Sequence, residues 1–70
     1  MIGLVKRSFS LAGHRTSVAL EPEFWAALEA QARANGETLS RLATRIDAER
    51  GVDRPLASAL RVFALLGRAS

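Results

Sequence analysis

The sequence contains no cysteine and no tyrosine, and it has only one histidine, one lysine, two prolines and four aromatic residues. Without cysteine there is no disulfide framework, no thiolate metal site and no cysteine nucleophile. A chain of 70 residues rarely buries enough apolar surface to be stable alone, so stability is expected to come from association of two copies. Disorder is not expected, because 49% of the residues are hydrophobic and the net charge is only +3. The sequence therefore predicts one small folded domain, 1–70, that acts as a dimeric binding module.

Reactive groups are also scarce. His14 is the only imidazole, and with no second ligand nearby in sequence a surface position is favoured over a metal or catalytic role. There is no glycine-rich phosphate loop and no Ser–His pair supported by an acid. Asp47 and Glu49 are two residues apart, so on a helix they point in different directions. We therefore expect neither enzymatic activity nor a bound metal or cofactor.

Targeting and membrane segments are not recognisable. The apolar residues 1–5 are too few for the core of a signal peptide, and the basic pair follows them instead of preceding them. The last apolar segment, 56–67, is interrupted by Arg61 and is far shorter than a membrane span. The expected location is the cytoplasm, without membrane insertion.

Charge is unevenly distributed along the chain. Residues 1–20 contain three basic and no acidic residues, whereas residues 21–37 contain four acidic residues and one basic residue. Nine of the ten cations are arginine, whose planar guanidinium suits phosphates and base edges. A genome rich in G and C would produce the same bias, so both explanations stay open.

An alternating pattern predicts a strand over 14–20. Its apolar side carries Thr16, Val18 and Leu20, and its other side carries Arg15, Ser17 and Ala19. Upstream, Phe9 and Leu11 alternate with serines, so residues 1–13 form either a basic arm or an extra short strand, with a bend or a bulge at Gly13.

Three helices are predicted after the strand. The first, 22–35, opens at Pro22 and closes at Asn35-Gly36. The second, 39–50, has Thr38 as its cap, and the third, 54–66, has Asp53 as its cap. Because the third helix is apolar on more than one side, it needs two neighbours. The expected class is α+β and mostly helical.

The order of these features resembles the ribbon-helix-helix family of bacterial DNA-binding proteins. The likeness rests on a strand running into TSVALEPEF, a helix closing at NG and a T-x-S start to the next helix, over roughly 14–50. The segment RSFSLAGHRTSVALE is similar to a small subgroup of the family in which a third helix follows. The resemblance implies an intertwined homodimer, in which one N-terminal strand from each chain pairs with its copy, followed by two helices and a short third helix. The implied dimer core consists of Val18, Leu20, Phe24, Leu28, Leu42 and Ile46.

The resemblance also implies a function and its residues. In this family the outward side of the two-stranded ribbon reads base edges in the major groove of double-stranded DNA. The implied base contacts are Arg15, Ser17 and Ala19, and the implied phosphate contacts are Lys6, Arg7, Thr38 and Ser40. The chain is thus expected to be a small homodimeric regulator of transcription.

An alternative function remains open. Of the three implied base contacts only Arg15 is strongly directional, which favours a protein that has kept the fold without reading DNA. Such a protein would be an antitoxin-like module or an accessory subunit that docks a larger protein partner. The docking residues would be Val62, Leu65 and Leu66, which lie off the core stripe formed by Leu56, Leu60 and Phe63.

Overall fold

The computed structural model describes residues 3–67. Two strands are followed by three helices: β1 (Val5–Leu11), β2 (His14–Leu20), α1 (Pro22–Ala34), α2 (Leu39–Glu49) and α3 (Leu56–Leu66). The predicted α+β, mostly helical class is confirmed. Strand β2 occupies the segment predicted for the ribbon strand, α1 and α2 each end one residue earlier than predicted, and α3 begins two residues later.

The two strands form an antiparallel hairpin within one chain. They are joined by Ala12 and Gly13, both with positive φ, 51° and 81°. A two-residue turn of this handedness matches the natural twist of paired strands. Residues 5–11 are therefore the extra short strand and not a free arm, and the bend predicted at Gly13 is confirmed. In this structure β2 pairs with β1 of its own chain, so it needs no second copy to satisfy the backbone groups on that edge.

The core lies between one face of the hairpin and the three helices. From the hairpin, Phe9, Leu11, Val18 and Leu20 are buried, and no buried polar or charged residue occurs between residues 3 and 67. The helices contribute the rest of the buried cluster, namely Trp25, Leu28, Ala32, Leu42, Ala43, Ile46, Leu56, Ala59, Leu60 and Phe63.

The residues predicted for a dimer core are thus mostly buried by the chain itself. Val18, Leu20, Leu28, Leu42 and Ile46 are inaccessible in one chain, and Phe24 packs partly buried against them. Helix α3 finds its neighbours in α1, α2 and β2. The two neighbours that the apolar pattern of α3 requires are thus supplied by the same chain, and one edge of β2 is paired within it.

Helix α1 ends in a left-handed glycine cap. Gly36 has φ 68°, and its N–H donates to the carbonyl of Arg33 at 3.1 Å. The N–H of Glu37 donates to the carbonyl of Ala32 at 2.9 Å. These two bonds satisfy carbonyls that the helix itself leaves free and turn the chain towards α2.

The starts of α2 and α3 differ. Thr38 is confirmed as the cap of α2, because its Oγ1 accepts the N–H of Arg41 at 3.1 Å. The prediction of Asp53 as the cap of α3 is wrong, since Pro55 occupies the cap position and makes no side-chain bond. A proline disfavours helical backbone in the residue before it, so the helix cannot begin at Arg54 and Asp53 cannot cap it.

Three arginines each bond a glutamate and also lie over an aromatic ring, within 6 Å of its centroid. We call these sets the arginine clasps. They are Arg7 with Glu29 and Trp25, Arg45 with Glu37 and Phe63, and Arg61 with Glu21 and Phe24. The first connects β1 to α1 and the third connects α3 to α1. Stacking flat on a ring while bonding a carboxylate is a geometry that the planar guanidinium favours over the compact ammonium, so part of the arginine excess is structural.

Candidate nucleic-acid interface

The face of the hairpin that points away from the helices is polar. We call it the ribbon face. Five of its six side chains are exposed and the sixth, Ala19, is partly exposed. The set is Lys6, Ser8, Ser10, Arg15, Ser17 and Ala19. No acidic residue occurs anywhere from residue 5 to residue 20, so this face is uniformly neutral or positive.

Serines occupy the centre of the ribbon face. Ser8 lies directly across from Ser17, and their Oγ atoms are 2.9 Å apart. One hydroxyl donates to the other, which leaves one proton and several lone pairs directed to solvent. The centre can therefore both donate and accept hydrogen bonds.

The two charges of the ribbon face lie at its opposite ends. Lys6 lies across from Ala19 at the open end, and Arg15 lies across from Ser10 near the turn. In the part of the chain that the structure describes, neither cation has an acidic partner within ion-pair distance. Both charges are thus available to an anionic ligand.

Arg7, an implied phosphate contact, occupies a different environment. It alternates with Lys6 and so lies on the inner side of β1, where its guanidinium is 3.0 Å from Glu29 and 5.1 Å from the centroid of Trp25. Its charge is already balanced. The structure separates the two residues of the basic pair: Lys6 faces outward and Arg7 helps hold the strand on α1.

Thr38 and Ser40, the other implied phosphate contacts, are exposed at the start of α2 and not on the ribbon face. The backbone N–H groups of Leu39 and Ser40 belong to the first helical turn, which has no intrahelical acceptors for them. Exposed Arg41 lies in the same surface groove. Glu37 also lies there, but its carboxylate is bonded to Arg45.

Sequence reasoning missed Ser8 and Ser10 as members of the ribbon face. Their alternation with Phe9 and Leu11 predicts an extra short strand. In the family pattern, however, only the strand at 14–20 contacts DNA, so the resemblance assigns these serines no role.

The residues predicted for docking on α3 are not equivalent. Leu65 is 79% exposed and Leu66 is 51% exposed, whereas Val62 is partly buried. The stripe formed by Leu56, Leu60 and Phe63 is buried, as predicted. The end of α3 thus presents two neighbouring leucines to solvent.

Other kinds of site have no support in the described segment. No group of three or more histidine, cysteine or acidic side chains is placed to hold a metal ion between residues 3 and 67. None of the helices in that range has the length and apolar character needed to cross a bilayer.

A two-stranded antiparallel ribbon with a polar outer face, supported by helices, is the architecture of proteins that place a β-ribbon in the major groove. The ribbon-helix-helix domain model matches residues 4–67, and the chain belongs to the ribbon-helix-helix domain family. Members of this family are generally DNA-binding transcription regulators or antitoxins, are typically not enzymes, and typically form homodimers. No curated protein and no solved structure matches the chain significantly.

Proposed function

We propose that this chain is a DNA-binding regulator of transcription that works in the bacterial cytoplasm and inserts its ribbon face into the major groove. The observation that carries the proposal is the composition of that face: six outward side chains, none acidic, with two cations not engaged in ion pairs. A two-stranded ribbon fits the width of the major groove.

Each position of the ribbon face has a matching chemistry. The guanidinium of Arg15 suits the O6 and N7 acceptors of guanine, which it can bond together. The hydroxyls of Ser8 and Ser17 accept or donate to most base edges, and Ala19 offers an apolar contact to a thymine methyl.

Phosphate contacts come from two places. Lys6 projects from the open end of the ribbon face, where its long side chain reaches a backbone phosphate. The hydroxyl of Ser40 and the free N–H groups of the first turn of α2 provide a second anchor, and Thr38 supports that turn by capping it. Arg7 contributes through the position of β1 and not through direct contact.

The test compares two arginines of equal charge. Arg15→Ala removes the proposed base contact, and Arg33→Ala removes an exposed arginine from the last turn of α1. In mobility-shift titrations with genomic DNA fragments, Arg15→Ala should lose about 1–3 kcal/mol of binding free energy on preferred fragments. Arg33→Ala should bind as the unmodified protein does. Equal losses in both variants, or no shift by the unmodified protein, would contradict the proposal.

We further propose that the protein associates as a homodimer and that a second copy covers Leu65 and Leu66. Leu65 and Leu66 together form an exposed apolar patch of the kind that marks interaction sites. The one cation of α3, Arg61, is already bonded to Glu21. The double variant Leu65→Ser, Leu66→Ser should therefore stay folded and should sediment as a monomer at micromolar concentration.

The same two leucines favour the second candidate function, the docking of a larger protein partner as in an antitoxin, with Val62 at the edge of the contact. Under that function the double variant would lose a co-purifying partner while the self-association of the protein is unchanged. Unchanged self-association with no lost partner would refute both uses of this surface.

A further inference from the structure

We infer, on the basis of the proposed function, that β1 is a phosphate-binding strand that lies along one wall of the major groove. Its two end residues on the ribbon face, Lys6 and Ser10, contact the sugar–phosphate backbone, and the base edges are read from β2. Ser10 thereby becomes a DNA contact, a role that the family pattern does not give it.

Strand β1 is the outer strand of the ribbon. It covers one edge of β2 along its whole length, from Val5 opposite Leu20 to Leu11 opposite His14. A further strand that pairs with β2 therefore has access only to its other edge. Members of the family typically form homodimers. In a ribbon that the β2 strands of two copies share, β1 lies on the outside of each copy.

The width of the major groove separates the roles of the two strands. Neighbouring strands are about 4.8 Å apart, so two β2 strands fit within a groove that is about 12 Å wide. The two outer β1 strands are then three strand spacings apart, about 14 Å, which is wider than the groove. Each β1 therefore lies over a wall of the groove, and the phosphates and sugars of that wall face its ends.

The side chains at the ends of β1 have the chemistry that phosphates require. The ammonium of Lys6 is a compact point charge and lacks the planar fork with which arginine reads guanine. The hydroxyl of Ser10 is a hydrogen-bond donor of the kind that commonly contacts phosphate oxygens. Both side chains are exposed, and no acidic residue occurs from residue 5 to residue 20. Nothing on this part of the surface repels a phosphate.

The centre of β1 is held towards β2 instead. The Oγ of Ser8 lies 2.9 Å from the Oγ of Ser17, so this hydroxyl is directed to the neighbouring strand. Lys6 lies opposite Ala19, whose methyl group offers no hydrogen bond. The long side chain of Lys6 is thus free to extend to the wall, while Ser8 stays beside the base-reading residues of β2.

The first test measures affinity as a function of salt and of sequence. Lys6→Gln removes the charge and keeps most of the side-chain length. It should weaken binding by the same factor on every duplex, about threefold to tenfold at low salt. The slope of the logarithm of the association constant against that of the salt concentration should become shallower by about 0.9 per chain. The control Arg33→Gln removes an exposed cation of α1 and should leave both quantities unchanged.

Ser10→Ala tests the second proposed phosphate contact. This variant should lose about twofold to fivefold in affinity on every duplex, because one hydrogen bond is removed. Its salt slope should be unchanged, since the hydroxyl is neutral. Its base preference should also be unchanged.

The second test alters the DNA one group at a time. Replacing single phosphates of a preferred duplex by uncharged methylphosphonates should reveal one position that weakens the unmodified protein but leaves Lys6→Gln unaffected. Replacing the preferred guanine by 7-deazaguanine, which lacks the N7 acceptor, should weaken the unmodified protein and Lys6→Gln equally. Arg15→Ala should no longer respond to that base replacement.

The outcomes distinguish the two proposals. Loss of the response to 7-deazaguanine in Lys6→Gln, or a changed base preference in Ser10→Ala, would place β1 on the base edges and overturn the inference while the proposed function stands. Unchanged affinity and salt slope in Lys6→Gln would also overturn it. A protein that prefers no duplex, or an Arg15→Ala variant with unchanged base preference, would instead refute the proposed function.

Discussion

The guanidinium of Arg7 lies 5.1 Å from the centroid of the Trp25 ring. The same tryptophan bonds the backbone of Val5, two residues before Arg7 in the strand. Trp25 Nε1 donates to the carbonyl oxygen of Val5 at 2.7 Å, and Glu29 holds the other side of the guanidinium at 3.0 Å. One aromatic residue of α1 thus fixes both the start of β1 and the inward side chain next to Lys6. The open end of the ribbon face is positioned by this contact.

Trp25→Phe should therefore loosen β1 selectively. The variant keeps an aromatic ring but loses the hydrogen bond to Val5 and some buried volume, so we expect a loss of about 1–3 kcal/mol in the free energy of unfolding. Amide exchange should accelerate at the start of β1. The control Phe63→Leu also removes buried volume but should not change exchange at β1 selectively. Uniform acceleration in both variants would show that the indole bond does not hold the strand.

The turn of the hairpin predicts a stabilising substitution. Ala12 has φ 51°, a conformation that costs an alanine about 1–2 kcal/mol and that asparagine tolerates better. Ala12→Asn should raise the free energy of unfolding by about 0.5–1 kcal/mol, as measured by urea titration. Gly13→Ala should lower it by about 1 kcal/mol, for conformational reasons alone, because a Cβ at Gly13 would meet no atom within 4 Å. A higher free energy of unfolding for Gly13→Ala would contradict the positive φ of this residue.

Substitutions at two adjacent residues of β2 should affect different properties, the stability of the fold in one case and DNA binding in the other. Val18 is 5% exposed on the inner face, and Ser17 is exposed on the ribbon face. Val18→Asp puts an unpaired charge in the core and should abolish the folded circular-dichroism signal. Ser17→Asp should stay folded but should lose DNA affinity about tenfold or more, because the new charge faces the phosphates. A folded Val18→Asp would refute the assignment of the inner face.

The Glu21 carboxyl gives a pH-dependent prediction. Its own backbone N–H and then Arg61, at 3.0 Å, bond the charged form and hold the pKa of Glu21 below its ordinary value of 4.5. A lowered pKa means that this interaction stabilises the fold fully above pH 4.5 and that its contribution is lost as the pH falls through the folded-state pKa. Arg61→Ala should raise the pKa of Glu21 only part of the way, since the backbone bond remains.

Carbon-detected NMR titration of the Glu21 side chain measures this shift. The control Arg33→Ala removes a cation that does not contact Glu21 and should leave its titration unchanged. A midpoint of Glu21 at or above 4.5 in the unmodified protein would exclude the bond to Arg61 in solution.

Much of the fold could be predicted from local patterns. The strand at 14–20 followed from alternation, and the end of α1 followed from Asn35-Gly36, because a glycine cap is encoded within a few residues. The hairpin was only partly predicted. Its turn contains Ala12 at positive φ, and an alanine gives no signal for that conformation, so β1 was not distinguished from a free arm.

The environment of the site residues was harder to predict. Arg7 and Glu29 are 22 positions apart, and Arg61 and Glu21 are 40 apart, so neither pair is visible in a linear pattern. The sequence placed Arg7 with Lys6 because the two are adjacent and share a charge. Adjacent residues on a strand face opposite sides, and that geometry gives them different partners.

The arginine clasps limit how strongly DNA binding by this protein can depend on salt concentration. The chain has ten cations, but Arg7, Arg45, Arg50 and Arg61 already neutralise acidic side chains, and the ribbon face itself carries only Lys6 and Arg15. Because Arg15 is proposed to contact a base, only Lys6 neutralises a phosphate from the ribbon face. The logarithm of the association constant should then fall with that of the salt concentration with a slope near −0.9 per chain. Between about 50 and 200 mM salt this is a loss of about 3.5-fold, so most of the binding free energy must come from contacts that salt does not screen.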